Sequence, residues 1–439
     1  MSDHARSLDP AVQAQLDRLW SLSPGADILG LERITQLLGR VGDPHHHLPP
    51  VFHVAGTNGK GSTCAFLRAA IEASGQRVHV YSSPHLVRFN ERIRIAGDLI
   101  TDPALAAVLA EVLDQADGIG ASFFEVTTAA AFLCFARTPA AATIIEVGLG
   151  GRLDATNILP SPAVCGIAAL GIDHEAFLGN RLVDIAREKA GIAKRDTPLV
   201  TMDYPRPIRD AIAKVAGDAG APVFARHDGW TSDNDARSVH YQDRNGSLRL
   251  PRPMLAGAHQ SRNLALAVAM LRHQQAIAVN DDALRLAADR TRWPARMQQL
   301  SDGPLTRILP DGSVCWLDGA HNPSAATPVA RLMTGWRSRG PSALVIGMLA
   351  NKDAGPVIRK LAGMVDLVVT IPVPDHACHP PEALAVHADA LGIPTRPAAD
   401  AADALRQITR HFAAPVKVLI AGSLYLAGDV LRANDEAPQ

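Results

Sequence analysis

No run of apolar residues approaches the eighteen or so that a bilayer span requires. The opening stretch MSDHARSLDP has neither the apolar core nor the cleavage site of an export signal. Charge of one sign is also missing: 43 basic and 44 acidic residues leave a net charge of −1, so neither a nucleic-acid-binding face nor membrane association is expected. Cysteine is sparse. Cys64, Cys134, Cys165, Cys315 and Cys378 are odd in number and never form a C-x-x-C pair, which argues against a disulfide framework and for reduced thiols in a cytoplasmic protein. Internal repeats and low-complexity tracts are absent too.

What remains is an ordinary globular composition, with 47% hydrophobic and 20% charged residues. A chain of 439 residues exceeds one ordinary core, so two domains are expected. The most informative stretch is Val51 to Thr63, VFHVAGTNGKGST. Val51, Phe52 and Val54 predict a buried strand, and the segment after the glycines predicts a helix to about Ser74. Glycines 56, 59 and 61 let the backbone turn its N–H groups inward, while the helix start and Lys60 add positive charge. Such a loop suits a polyphosphate. It departs from the strict G-x-x-x-x-G-K-[ST] pattern, because Val54 replaces the first glycine and the hydroxyl after Lys60 is displaced to Ser62 or Thr63.

Residues 9–40 predict two helices broken at Ser23-Pro24-Gly25, and 41–50 a loop in which adjacent His45, His46 and His47 are not expected to share an ion. A strand over Arg77–Tyr81 leads into the polar loop Ser82–Arg92, at a strand end where an open α/β sheet holds ligands. Ser122–Thr128 leads into an Ala-rich helix to about Arg137. Thr143–Val147 is a strand carrying Glu146, a carboxylate in an apolar run that a cation such as magnesium would compensate. A strand over Ala163–Leu170 ends at Asp173-His174, and a helix over Leu182–Ala193 contains Glu188-Lys189-Ala190-Gly191. Residues 238–250 predict an antiparallel hairpin turning at Arg244-Asn245-Gly246, and His259 opens a helix bearing Gln260 and Asn263. Beyond residue 299 the alternation restarts, with strands at Cys315–Leu317, Ala343–Gly347, Leu367–Ile371 and Lys417–Ala421. Asp375-His376-Ala377-Cys378-His379 is metal-capable but lacks a matching ligand pair elsewhere.

AGTNGKGST, YSSPHLVRFNERI, EVGLGGRLDATN, GIDH, EKAGI, HQ followed by Asn263, and DGAHNP occur in that order. Together they resemble the folylpolyglutamate synthase and dihydrofolate synthase family of bacterial bifunctional type, within the wider Mur-ligase group. The resemblance runs from about Gly30 to Gly428. It implies an α/β chain: a P-loop ATPase-like parallel-sheet domain over 1–298, with a small antiparallel appendage and a pterin site, and a smaller Rossmann-like domain over 299–439. The implied reaction is ATP-dependent ligation of L-glutamate to dihydropteroate, and to the γ-carboxyl of reduced folates, through an acyl phosphate. Carboxylate and triphosphate must then be neutralised and held in line.

Carried over by position, ATP takes Thr57, Asn58, Gly59, Lys60, Gly61, Ser62, Thr63, Asn263, Arg296 and Asp318. Two magnesium ions take Ser62 or Thr63, Ser83, Glu146 and His174, with Lys189 matching a lysine that the family carbamylates. Asp27, Leu29, Gly30, Phe124, Leu153, Asp154 and Ala155 fall to the pterin-bearing acid; Arg92, Asp154, His321 and Ser423 are candidates for glutamate. Lys60, Glu146, His174, Lys189 and His321 form the implied catalytic set. One departure stands out: Ala295 occupies the glycine position of the family's WPGR, where a positive φ would strain it. A monomer in the cytoplasm is expected. The alternatives are one activity of the two, a Mur-type amide ligase disfavoured by SSPHL and LDATN, or a silent ATP-binding regulator.

Overall fold

The computed structural model describes residues 6–22 and 29–438. The chain divides into two compact units, one running to Met254 and resuming at His259–Arg292, the other comprising Leu255–Ala258 and Trp293–Gln439.

In the first unit the strands are β1 (Val51–Ala55), β2 (Val78–Tyr81), β3 (Ile93–Ile95), β4 (Asp98–Leu99), β5 (Ala142–Glu146), β6 (Val164–Ile167), β7 (Leu199–Thr201) and β8 (Val223–Ala225). They form one sheet in the order β4-β3-β2-β5-β1-β6-β7-β8, parallel except at β3 and β4. VFHVA, ATIIE and VCGI are buried along their whole length, as helix-covered parallel strands require. β1 lies between β5 and β6, with Val54 beside both Glu146 and Gly166. The helix Phe123–Arg137 starts at a Ser122/Glu125 capping box and seats Val126, Phe132 and Phe135 in a core with Val51, Tyr81 and Ile145. Each such Phe or Val stabilises the fold by ~1.5–3 kcal/mol.

Two departures from the sequence expectation matter. β6 ends at Ile167 rather than Leu170, because the Ala169 carbonyl leaves the ladder to accept the N–H groups of Thr57 and Asn58 at 2.9 and 3.0 Å. The expected hairpin forms as β10 (Ser238–Asp243) and β11 (Gly246–Pro251), but β9 (Trp230–Asn234) joins it, with Trp230 stacked on Tyr241. The helices Pro10–Leu22 and Glu32–Arg40 flank the expected break, which lies outside the described residues.

The second unit holds β12 (Gln298–Gln299), β13 (Val314–Leu317), β14 (Ser342–Ile346), β15 (Leu367–Thr370), β16 (Thr395–Pro397) and β17 (Lys417–Ala421). The order is β12-β13-β17-β14-β15-β16, with only β12 antiparallel. This is the smaller Rossmann-like sheet. Its β16 escapes a sequence reading because Thr-Arg-Pro has no apolar run. Among the described residues, no helix is long and apolar enough to cross a membrane.

Candidate active site

Three neighbouring strands of the first unit release their chain ends at the same edge. β1 passes through Gly56, at φ 150°, and Gly59, at φ 86°, into the helix Lys60–Ala73. A side chain on Gly59 would lie 2.6 Å from Asn263 Oδ1, so the glycine lets the helix Ala258–His273 press Asn263 against the loop. Lys60 Nζ donates to Gly56 O at 3.1 Å, Thr63 Oγ1 to Gly59 O at 2.9 Å, and Thr57 Oγ1 to Gly171 O at 2.9 Å. Ser62 is buried behind Gly61. Thr57 and Asn58 are tied to Ala169, so the loop and the segment carrying Asp173-His174 form one piece of backbone.

Glu146 closes β5, buried and level with Val54. The Cys64 thiol is pushed well up by burial first and by Glu146 second, while Lys60 opposes, so Lys60 and Glu146 both act on the first turn of the phosphate-loop helix. His174 has φ 54°, and its backbone N–H donates to Asp173 Oδ1 at 2.8 Å. After β2 comes the Ser82–Arg92 loop, where Ser83 precedes a cis Pro84. Glu91 accepts the N–H groups of Leu86, Val87 and Arg88 at 2.8, 2.9 and 2.7 Å, which sets the loop's shape. Buried Arg92 donates through Nε to His85 Nδ1 at 2.9 Å, and its guanidinium lies over Phe89 and Phe123.

The motifs EVGLGGRLDATN and EKAGI prove to be two halves of one joint. A side chain on Gly151 would sit 2.7 Å from Glu188 O and 2.9 Å from Lys189 Cα; one on Gly191 would sit 2.4 Å from Arg152 Cβ. Arg152 N donates to Glu188 O at 2.9 Å, its Nε pairs with Glu188 Oε2 at 3.0 Å, and Asn157 Nδ2 donates to Arg152 O and Gly191 O. The helix Leu182–Ala190 thereby delivers Lys189, buried, with Nζ 3.4 Å from Gly150 O. Burial lowers the Lys189 pKa to about 7, helped by Lys60 and opposed by Asp154, Asp173 and Glu188. Phe124 lies so close over Gly148 that a side chain there would be 2.4 Å from its Cζ. Asp154 caps the short turn Ala155–Ile158, accepting from Thr156 N, Thr156 Oγ1 and Leu149 N; burial raises its pKa. Leu153 N donates to Glu188 Oε1 at 3.4 Å and Ala155 is buried. Leu29 and Gly30 precede the helix Glu32–Arg40; Asp27 lies outside the described residues.

In the second unit, Asp318 follows β13 and accepts from Met297 N and Ala320 N, both at 2.8 Å. Burial raises its pKa, with Arg296 the largest opposing influence. His321 Nδ1 donates to Gly319 O at 2.8 Å. Ser423 caps the helix Leu424–Ala433 through Tyr425 N. Gly319 and Gly422 make this end of the sheet possible, since side chains there would lie 2.3 Å from Leu424 Cδ2 and 2.4 Å from Gly347 O. Ala295 has φ 54° and is fully buried, so the departure from glycine does carry backbone strain.

Ser62, Ser83 and Glu146 offer hydroxyl and carboxylate oxygens, the donors a hard divalent cation takes, and a buried carboxylate suits such a charge. The two side metal readings fare differently. Asp43, His45 and His46 bring ligand atoms within 4.8 Å of one another, closer than their adjacency led one to expect. The His45 and His46 rings lie 4.0 Å apart, centroid to centroid, tilted by 39°. In Asp375–His379, His376 stacks on Tyr425 and His379 Nε2 bonds Lys352 O. The sequence reading missed His53, a fully buried polar residue in β1, for which an imidazole in an otherwise apolar strand was the available signal.

Known proteins are similar to this chain over most of its length. The family model for the dihydrofolate synthetase C-terminal domain matches residues 307–433. A dihydrofolate synthase/folylpolyglutamate synthase of Escherichia coli is 36% identical over 339 residues, covering 77% of this chain and 76% of its own. A probable bifunctional folylpolyglutamate synthase/dihydropteroate synthase of Halobacterium salinarum is 33% identical over 91% of this chain, which spans about half (49%) of that relative's length. Among solved structures, E. coli FolC in complex with DHPP and ADP superposes with TM-score 0.87 at 33% identity, covering 97% of both chains. A bifunctional folylpolyglutamate synthase/dihydrofolate synthase with Mn, AMPPNP and L-glutamate bound gives 0.83 at 32% identity, covering 96% of this chain and 97% of its own.

Proposed function

Because the chain belongs to the dihydrofolate synthase/folylpolyglutamate synthase family, we propose that it joins L-glutamate to dihydropteroate, forming dihydrofolate, and to the γ-carboxyl of reduced folates, forming polyglutamates. The observation that carries this reading is the meeting of phosphate loop, buried Glu146 and the Gly148–Asn157 loop at adjacent strand ends of one sheet. The acceptor carboxylate attacks the γ-phosphorus of ATP and ADP leaves. The glutamate amine then attacks the acyl phosphate, loses a proton, and phosphate departs as the amide forms.

Lys60 and the N–H groups of Gly59 to Ser62 hold the phosphates, with Asn263 steadying the loop; Arg296 and Asp318 are further candidates for ATP. Phe124, Leu153 and Ala155 face the pterin-bearing acid, with Leu29 and Gly30. Arg92, His321 and Ser423 serve glutamate. Ser62, Ser83, Glu146 and His174 would hold two magnesium ions, which supply charge neutralisation between carboxylate and triphosphate. Lys189 is buried beside Lys60, where an ammonium is costly; a carbamate there would turn repulsion of a cation into attraction. The pterin site belongs to the first unit, and the Rossmann-like ligase domain to the second, which opens at Trp293 and not at the expected 299. The free cysteines agree with action in the cytoplasm.

The test is phosphate release by the purified protein with Mg-ATP and L-glutamate, supplying dihydropteroate or tetrahydrofolate separately and weighing the products. Turnover with both is expected. Turnover with one removes the other activity, and silence with both overturns the reading. Growth of the protein in 13C-bicarbonate should add a carbamate carbon signal that Lys189→Arg lacks.

A further inference from the structure

His53 lies in the middle of β1, between β5 and β6, and is completely buried. Burial holds its pKa down at about 3, so the ring is neutral at physiological pH. Packing alone would favour an apolar residue here, because a buried ring nitrogen without a partner carries a desolvation cost. His53 Nδ1 is such a nitrogen. The other nitrogen, Nε2, lies 2.9 Å from Thr156 Oγ1. A threonine hydroxyl has one proton to give, and Thr156 gives it to Asp154 Oδ1 at 2.5 Å. Both Asp154 oxygens also accept backbone N–H groups, Oδ1 from Thr156 and Oδ2 from Leu149, which favours the carboxylate as acceptor, so Thr156 Oγ1 accepts from His53. That fixes the tautomer: the proton is on Nε2, and Nδ1 keeps a bare lone pair.

The outcome is a directional chain from His53 Nε2–H through the Thr156 hydroxyl to the Asp154 carboxylate. Asp154 also accepts Thr156 N at 3.0 Å and Leu149 N at 2.8 Å, so it ties the two ends of the Gly148–Asn157 loop together. We propose that His53 is a positioning residue which, through Thr156, orients the Asp154 carboxylate and registers the Gly148–Asn157 loop against the strand that feeds the phosphate loop. Its kinetic consequence rests on the ligase reading above; the hydrogen-bond chain does not.

Glutamine places an amide N–H near the position of imidazole Nε2, whereas asparagine reaches only the position of Nδ1. His53→Gln should thus retain function. His53→Asn and His53→Leu should raise KM for the folate acceptor about tenfold, with KM for ATP within about twofold. Thr156→Val should show the same loss, and His53→Leu added to Thr156→Val should cost nothing further. Additive losses, or equal activity of the Gln and Asn variants, would overturn the proposal. Independently of activity, 15N spectra of the wild-type imidazole should show Nε2 protonated and Nδ1 bare from pH 5 to 8. The opposite tautomer, or a ring that titrates in that range, would overturn it even if the Leu variant fails to fold. The predicted tautomer in a protein that turns over neither acceptor would count against the ligase reading alone.

Discussion

Replacing Gly151 by alanine adds one methyl group at the joint between the GLGGR loop and the end of the Lys189 helix. That methyl would meet Glu188 O at 2.7 Å, Lys189 Cα at 2.9 Å and Lys189 O at 3.0 Å. All three are backbone atoms, so no side chain can swing away. Restoring ordinary van der Waals contact, about 3.4 Å or more, requires the helix end and the loop to part by about 0.7 Å or to tilt by as much. Overpacking of this kind costs about 1–3 kcal/mol. For a unit of this size it lowers the melting temperature by roughly 2–4 °C per kcal/mol. The larger effect is on chemistry, since Lys189 moves with the helix end, and a displacement approaching 1 Å can cost up to about a hundredfold in rate. Differential scanning calorimetry and phosphate release measure the two quantities on one sample. Gly217→Ala is the control: nothing lies within 4 Å of the added methyl, so it should gain up to about 1 kcal/mol with unchanged turnover. A Gly151→Ala protein with wild-type stability and wild-type kcat/KM would refute the joint as the device that sets Lys189.

Lys60→Ala should lower kcat/KM by about 10³-fold or more while shifting the melting temperature by less than about 2 °C, because Lys60 makes one partly buried bond to Gly56 O; substantial residual ligation would contradict its role. Ala295→Val should destabilise the second unit by about 2 kcal/mol or more, a β-branched residue at φ 54° being worse than alanine, whereas Ala295→Gly should stay within about 1 kcal/mol as strain relief offsets the lost methyl. Chemical denaturation distinguishes the two. His53 also makes stability fall in acid: its folded pKa of about 3 lies below the ordinary 6.5, so its contribution is complete above pH 6.5 and is lost as pH falls towards 3. Between pH 6 and pH 4.5 the loss is on the order of 2 kcal/mol, and His53→Gln should show a correspondingly flatter profile.

The parts of the molecule legible in the sequence are those whose signal is local. Val51–Thr63 announces strand, glycine turn and helix within thirteen residues, and the helix Phe123–Arg137 carries its own capping box. Glu146 was legible because a carboxylate at the end of an apolar strand demands a cation. What stayed hidden depends on partners far along the chain. Nothing local says that Gly151 exists to admit the carbonyl of Glu188, or that His53 answers Thr156 a hundred positions later. Nor does Thr395-Arg396-Pro397 read as a strand, since its place at the sheet rim asks for no apolar alternation. The early end of β6 has the same origin: Ala169 prefers two donors from the phosphate loop to one more rung of its ladder.

Both large sheets taper. Their outermost strands are Asp98–Leu99, Val223–Ala225, Gln298–Gln299 and Thr395–Pro397, only two or three residues each, against five for each of the central β1, β5, β14 and β17. A foreign chain seeking to extend either sheet would find two or three rungs to grip, and at one rim Pro397 withholds a donor. The protein therefore guards itself against self-templated fibre growth by geometry as well as by the exposed charges of Asp98 and Arg396, which is how a chain with almost no net charge can be expected to tolerate crowding.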